Sequence, residues 1–155
     1  MTEFKSKIKT IEWVDTYSKM VDQTLLPERF EYVNIKTGDD MFNAIKTMIV
    51  RGAPAIGVAG AHGVVLYAQE LEKQNLSRDE FIKKLLEKAD YMATSRPTAV
   101  NLMWAVKKQK EIIQNSKSDI KGIVEELKQN GIKLENEDIE INENKVDEKS
   151  EDNNE

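Results

Sequence analysis

Cysteine is absent from the 155 residues, and histidine occurs once, at His62. A chain without cysteine forms no disulfide, zinc ribbon or iron–sulfur centre, and it offers no thiol nucleophile. A single histidine cannot supply a multi-histidine metal site. We therefore expect a cytoplasmic protein without a thiol-based or histidine-based metal centre.

Long apolar runs and basic clusters are also missing. The longest apolar run, from Ala53 to Ala61, is too short and too rich in glycine to span a bilayer. Residues 1–10 lack the apolar core of a signal peptide. No basic stripe with interleaved aromatic residues is present, which argues against nucleic-acid binding. We expect neither a membrane nor a nucleic acid as a partner.

The negative charge is concentrated at one end of the chain. Residues 1–134 carry 21 Lys and Arg against 18 Asp and Glu, whereas residues 135–155 carry 2 against 10. The second segment has only three apolar side chains, and its last nine residues have none. Such a composition is typical of disorder. We predict a mostly helical domain over residues 1–134 and an acidic, disordered tail over residues 135–155.

The first part of the chain has the period-2 pattern of strands. Apolar and polar residues alternate over Thr10–Val14 and again over Phe30–Ile35, and the stretch around Pro27 breaks the pattern. This pattern predicts a small antiparallel sheet within residues 10–36. Helical spacing follows it, so the predicted fold class is α+β and mostly helical.

Five helices are predicted after the sheet. Capping residues, acidic first turns and prolines place their starts near Asp39, Pro54, Ser77, Pro97 and Ser118, and Gly131 would end the last one. The helical periodicity predicts a core that includes Ile45, Ile49, Val58, Val65, Leu85, Ala89, Val100, Trp104 and Leu127.

Two helix starts carry an arginine. Arg51, Gly52 and Ala53 precede Pro54, and Arg96 precedes Pro97. The first amides of a helix lack intrahelical partners, and the helix dipole favours negative charge there. Glycine lets a ligand approach the backbone, and a guanidinium group suits a phosphate. Each segment alone is also typical of an ordinary structural turn, but the two together favour a phosphate-binding hypothesis.

Other residues in these segments admit two interpretations. Gly57, Gly60 and Gly63 would form a smooth strip for helix packing, although Gly57 lies in the first turn, where a ligand could contact it. Asn101 could hydrogen-bond to a loop or line a site. Met103 and Trp104 could lie in the core or at an interface. His62 is interpreted as a packed or hydrogen-bonded core residue.

Longer motifs carry a family resemblance. Val50-Arg-Gly-Ala-Pro-Ala-Ile-Gly-Val58 and Ala59-Gly-Ala-His-Gly-Val64 are followed by Thr94-Ser-Arg-Pro-Thr-Ala-Val-Asn-Leu102. The chain resembles the methylthioribose-1-phosphate isomerase family from about Thr10 to Asn144. That family is related to the alpha, beta and delta subunits of translation initiation factor 2B.

The resemblance implies an aldose–ketose isomerase of methionine salvage that acts on 5-methylthioribose 1-phosphate without a cofactor. It also implies a mostly helical N-terminal domain with a small sheet, ahead of a Rossmann-like second domain, with the substrate between the two. The motif positions imply substrate binding by Arg51, Gly52, Ala53 and Arg96. Oligomerisation is open.

The sequence departs from the family pattern in one respect. The family places a catalytic cysteine and an aspartate proton donor in the second domain, and no residue here can receive either role. We expect a truncated N-terminal domain that binds the phosphosugar and is inactive alone. Two alternatives are a half-enzyme completed in trans by a separate catalytic domain, and a non-catalytic phosphosugar-binding or regulatory module related to the initiation factor subunits.

Overall fold

A three-stranded antiparallel sheet comes first in the described part of the chain. The computed structural model describes residues 9–152, with side chains for residues 9–137. Strands β1 (Ile11–Val14), β2 (Tyr17–Val21) and β3 (Tyr32–Ile35) lie in the order β1-β2-β3. Trp13 pairs with Ser18, and Met20 pairs with Val33. The predicted antiparallel sheet is therefore confirmed.

Within residues 9–152, five α-helices follow the sheet, as predicted. They are α1 (Gly38–Lys46), α2 (Ala53–Glu72), α3 (Arg78–Ala93), α4 (Val100–Asn115) and α5 (Ile120–Asp152). Side-chain caps fix the starts of α1 and α3, because Thr37 accepts a hydrogen bond from the Asp40 amide and Ser77 accepts one from the Glu80 amide.

The predicted helix start at Pro97 is wrong. The Ala99 amide donates to the Arg96 carbonyl at 3.0 Å, so residues 96–99 form a turn and α4 begins at Val100. Proline fits such a turn because its ring fixes φ near −65° and it needs no hydrogen-bond acceptor.

Helix α2 occupies the centre of the domain. It is apolar on every side, and fifteen of its residues are buried, which is typical of a helix surrounded by others. Helices α1, α3, α4 and α5 all pack against it. The buried Gln109 side chain of α4 donates to the carbonyls of Ala61 and Leu127, both at 3.1 Å, and so connects α2, α4 and α5.

The predicted core is correct except on α4 and at Ile49. Val100 is 75% exposed and Trp104 50% exposed, so both predictions are wrong, and Ile49 is only partly buried. Helix α4 instead buries the face formed by Leu102, Ala105, Val106, Gln109 and Ile113. The remaining predicted core residues are buried: Ile45, Val58, Val65, Leu85, Ala89 and Leu127.

Helix α5 does not end at Gly131 as predicted. A Cβ atom at Gly131 would lie 3.2 Å from His62 Cδ2, so this glycine allows the imidazole to approach α5. The helix continues past the predicted boundary at residue 135 to Asp152, and Glu135 is buried in the folded domain. Disorder is predicted for residues 135–155 and stays a prediction beyond Glu137, while residues 153–155 lie outside the described part.

A buried polar cluster joins α5 to the sheet and to α2. Ser18 Oγ and His62 Nδ1 share a hydrogen bond of 2.8 Å, and His62 Nε2 faces Glu135 Oε1 at 3.7 Å. The Trp13 amide donates to the same Glu135 oxygen at 3.0 Å, and Lys9 Nζ lies 3.3 Å from the other oxygen. The interpretation of His62 as a hydrogen-bonded core residue is confirmed.

Burial controls the titration of this cluster. It lowers the pKa of His62 from 6.5 to about 3, although the Gly131 backbone raises the pKa and Lys9 lowers it further. Burial also raises the pKa of Glu135 above its usual value, while the hydrogen bond from the Trp13 amide and the charge of Lys9 lower it. The imidazole is therefore neutral at pH 7.

Among residues 9–152, no helix combines the length and the apolar character needed to cross a membrane.

The neutral imidazole should make stability depend on pH. Because the pKa of His62 is lower in the folded chain than in the unfolded chain, its contribution is complete above pH 6.5 and declines as the pH falls toward 3. The expected loss is about 1 kcal/mol between pH 6.5 and 5.5. Glu135 acts in the opposite direction, because its raised pKa lets the folded chain take up a proton first. Urea unfolding at a series of pH values should show that His62→Gln removes most of this loss.

Ser18→Ala serves as the control for this measurement, because it removes the partner of Nδ1 and keeps the imidazole. It should lower stability at every pH and retain the dependence between pH 6.5 and 5.5. An unchanged pH dependence in His62→Gln would show that another group is responsible.

Candidate functional site

A cavity of about 490 Å³ lies where the starts of α2 and α4 meet. Three short segments form its walls: the connection from α1 to α2, the first turn of α2, and the turn that leads into α4. The lining residues are Met48, Arg51, Gly52, Ala53, Ile56, Arg96, Thr98, Ala99, Val100 and Asn101.

All four predicted substrate-binding residues line this cavity. Arg51, Gly52 and Ala53 reach it from the start of α2, and Arg96 reaches it from the turn before α4. The sequence predicts Arg96 at the N-terminus of α4, but the turn of residues 96–99 separates it from that helix. Asn101, for which two interpretations were open, lines the cavity.

Gly52 gives α2 its entry geometry. Its φ of 91° lies in the left-handed region, which side chains other than glycine rarely adopt. It is the N-cap of α2 but provides no side-chain cap, and Pro54 occupies the first turn. The first intrahelical bond runs from the Ile56 amide to the Gly52 carbonyl. Helix geometry therefore leaves the amides of Ala53 and Ala55 without an intrahelical acceptor.

Helix α4 begins in the same way. Its N-cap, Ala99, has no side chain that could accept a hydrogen bond. The first intrahelical bond runs from the Met103 amide to the Ala99 carbonyl. The amides of residues 100–102 therefore also lack intrahelical acceptors.

The starts of α2 and α4 lie side by side because the two helices run in the same direction. Gly57 lies against the Asn101 backbone, Gly60 contacts Leu102 and Val106, and Ala61 accepts a hydrogen bond from Gln109. Residue numbers thus increase together along both helices. Each helix N-terminus carries a partial positive charge of about half an elementary charge, and here two of them are adjacent.

Within residues 9–137, no acidic side chain neutralises the positive charge at these two helix starts. Helix α1 has Asp39 and Asp40 in its first turn, and α3 has Asp79 and Glu80, whereas α2 and α4 have no acidic residue there. No acidic side chain is among the residues that line the cavity. Within residues 9–137, neither Arg51 nor Arg96 forms a salt bridge. The cavity therefore carries positive charge, which favours the binding of an anion.

The wall of the cavity at Met48 contains backbone strain. After α1, the Ile49 amide donates to the Ala44 carbonyl and the Met48 amide approaches the Ile45 carbonyl. This is a Schellman motif, in which glycine usually takes the left-handed position, but here Met48 has a φ of 67°. Holding a non-glycine residue there costs about 1–2 kcal/mol.

An exposed apolar surface continues from the cavity along α4. Val100 and Met48 lie on the cavity wall, and Met103 and Trp104 follow on the same helix, all of them 41–75% exposed. The sequence predicts Val100 and Trp104 in the core, with an interface as the alternative for Met103 and Trp104, so it does not identify this surface as exposed. The sequence shows that these residues are apolar, but it does not show that they lie on the exposed side of α4.

The Ser18, His62 and Glu135 cluster is not a second reactive site. It contains the residue types of a hydrolase triad, but Ser18 and His62 are fully buried and Glu135 is 3% exposed. The serine contacts Nδ1 and the carboxylate faces Nε2, and none of the three residues lines the cavity. Their role is structural. In the described residues, no group of three or more His, Cys, Asp or Glu is placed to hold a metal ion.

Sequence comparison identifies relatives over most of the chain. A 5-deoxyribose 1-phosphate isomerase from Clostridium botulinum (strain Loch Maree / Type A3) is 41% identical over 139 residues. A methylthioribose-1-phosphate isomerase from Thermoanaerobacter sp. (strain X514) is 45% identical over 137 residues. Each alignment covers 88% of this chain and 39% of the relative. The chain thus spans about two fifths of the length of these relatives.

Solved structures show the same fold. The 5-methylthioribose 1-phosphate isomerase from Pyrococcus horikoshii OT3 matches 84% of this chain and 37% of its own, with a TM-score of 0.76 and 32% identity. Subunit delta of the translation initiation factor 2B from A. fulgidus matches 85% of this chain and 36% of its own, with a TM-score of 0.69 and 34% identity. The family model for the initiation factor 2 subunit family matches residues 49–152. The chain belongs to the initiation factor 2 subunit family, and within it resembles the N-terminal part of the methylthioribose-1-phosphate isomerases.

Proposed function

We propose that the cavity binds the phosphate group of a ribose 1-phosphate that is modified at C5, and that 5-methylthioribose 1-phosphate of methionine salvage is the ligand. The convergence of two uncapped helix starts and two arginines on one cavity carries this proposal. A phosphate dianion accepts several hydrogen bonds at once, and helix N-termini and guanidinium groups are the donors that proteins use for it.

Each part of the cavity has a distinct role in this proposal. The free amides of α2 and α4 donate to phosphate oxygens, and Arg51 and Arg96 add charge-assisted hydrogen bonds from either side. The positive φ of Gly52 turns the chain into α2 and leaves no side chain over its first amides. Asn101 and Thr98 are the uncharged polar side chains of the lining. In this proposal they contact the sugar hydroxyls.

The apolar wall supports the choice of sugar. The names of the two isomerase relatives describe sugars that carry no hydroxyl group at C5. Met48, Ile56 and Val100 provide an apolar wall beside the polar donors. An unmodified ribose 1-phosphate would place its C5 hydroxyl against this wall without a partner, which costs binding free energy.

The cavity binds but lacks the groups for isomerisation. Converting an aldose into a ketose moves a hydrogen between two carbons, which requires an acid or a base close to both. The lining residues include no carboxylate, imidazole, thiol, phenol or amine. We propose that the reacting carbons face the open side of the cavity. A second domain, in the same polypeptide or in trans, would supply the catalytic groups there. We also propose that the protein acts in the cytoplasm.

A regulatory module is the second candidate. The likeness to initiation factor 2B subunit delta and the absence of a proton-transfer group from the lining favour it. In that role the same cavity would bind a phosphorylated ligand and change the affinity of this chain for another subunit.

Phosphate binding tests the proposed site directly. In an NMR titration with phosphate and with ribose 1-phosphate, amide shifts are expected within residues 51–57 and 96–102. Each charge-assisted contact contributes about 1.5–3 kcal/mol, so two such contacts give about 4 kcal/mol, an affinity near 1 mM that weakens with salt. Arg51→Ala and Arg96→Ala should each reduce the affinity at least tenfold.

Arg29→Ala is the matched control for these variants. Arg29 is exposed, pairs only loosely with Glu31 at 3.7 Å and lies outside the cavity, so its removal should leave the affinity unchanged. An equal loss in all three variants would indicate nonspecific attraction to positive charge. Shifts confined to other parts of the chain would contradict the proposed site.

The isolated 155-residue chain should not isomerise 5-methylthioribose 1-phosphate. The physical reason is the absence of a proton-transfer group from the lining. The assay follows formation of the ketose by NMR, with protein from a host that lacks the corresponding isomerase. Turnover that Arg51→Ala abolishes would show that this chain catalyses the reaction.

A further inference from the structure

The starts of α2 and α4 approach each other at a glycine. A Cβ atom at Gly57 would lie 3.1 Å from the carbonyl oxygen of Asn101 and 3.5 Å from the Asn101 Cβ atom. The first of these distances is shorter than an ordinary van der Waals contact. Because the neighbour is backbone, it cannot rotate away as a side chain could. A Cβ atom at position 57 therefore requires the Asn101 backbone, in the first turn of α4, to move by a few tenths of an ångström.

Two other glycines on α2 differ in what surrounds them. A Cβ atom at Gly60 would meet the end of the Leu102 side chain, and one at Gly63 would meet the end of the Met92 side chain. These flexible groups can adopt other rotamers. Only at Gly57 does the contact determine where a helix backbone lies, and only Gly57 lies one turn from the cavity wall.

We propose that Gly57 is a positioning residue, whose missing side chain sets the separation between the α2 and α4 N-termini so that one phosphate group can contact both. This inference rests on the proposed function. The two positive helix ends repel each other, and the close packing at Gly57 holds them together when no ligand is bound. Hydrogen bonds to phosphate require donor–acceptor distances of about 2.7–3.2 Å. A shift of α4 by a few tenths of an ångström therefore weakens its amide contacts to an anion that α2 holds.

The inference predicts that stability and binding separate. Alanine is a better helix former than glycine, so Gly57→Ala gains helix propensity that offsets the cost of moving α4. The shift of the α4 amides, in contrast, has no compensation in the binding site. If Gly57 were needed only for packing, the Gly57→Ala protein would be less stable, but its folded fraction would bind phosphate with unchanged affinity.

The test compares Gly57→Ala with Gly60→Ala in the full chain, using inorganic phosphate as the probe in NMR titrations and urea unfolding for stability. Gly60 lies on the same helix, faces the same partner helix and undergoes the same substitution. We expect Gly57→Ala to bind phosphate roughly five- to tenfold more weakly than the unmodified chain, since charge-assisted hydrogen bonds are weakened but not removed. The phosphate affinity of Gly60→Ala should lie within about twofold of that of the unmodified chain.

A double-substitution experiment tests the mechanism. If Gly57→Ala separates the two halves of the site, Arg96→Ala should cause a smaller loss of affinity in the Gly57→Ala background than in the unmodified chain. Equal losses in both backgrounds would overturn the inference.

The remaining outcomes are also decisive. Unchanged phosphate affinity in Gly57→Ala, or an equal loss in Gly60→Ala, would overturn the positioning role and leave the proposed function intact. A Gly57→Ala chain that does not fold would overturn it too, because the glycine would then be needed for folding. Failure of the unmodified chain to show phosphate shifts near the cavity would overturn the proposed function itself.

Discussion

Helix α2 is surrounded by the other helices, and the need to cover it determines where those helices lie. An apolar helix of twenty residues can be removed from water only if other helices cover its whole circumference. Helix α3 returns the chain along α2, so α4 runs parallel to α2 and places a second N-terminus next to the first. This arrangement brings like partial charges together. The burial of α2 thus creates both the core and the positive cavity at one end of it.

The local signals in the sequence predicted where helices and strands lie better than they predicted which side of each helix is buried. Thr37, Ser77 and Pro54 act within a single turn, and the helices that they begin lie where their chemistry predicts. Helix α4 shows the limit of such signals. From Val100 to Val106 it has apolar residues on every side, so periodicity alone could not decide between the face of Leu102 and the face of Trp104. Packing against α2 determines the buried face of α4, because Gly60 leaves room for Leu102 and Gly57 leaves room for the Asn101 backbone.

The candidate site was only partly accessible to sequence reasoning. Arginine and glycine before a helix have a local physical meaning, so Arg51, Gly52, Ala53 and Arg96 could be singled out. Their meeting in one cavity depends on the parallel course of α2 and α4, which is a tertiary property. Met48 carries no local signal, and the apolar residues on the exposed side of α4 do not show which way that side faces. The contact between His62 and Glu135 joins residues far apart in the chain, so Gly131 was misinterpreted as a helix end.

The carboxylate of Glu135 has a consequence for how the sheet can associate. β1 is an outer strand, and its Trp13 amide, which points away from β2, is already occupied by Glu135. An incoming strand from another chain would have to displace this carboxylate, the neighbouring Lys9 and the helix that carries them. Unpaired strand edges are the usual starting point of intermolecular sheet growth. Helix α5 therefore protects one side of a small sheet from aggregation, and only the β3 side, beside the exposed rings of Phe30 and Tyr32, keeps a free edge in the described part of the chain.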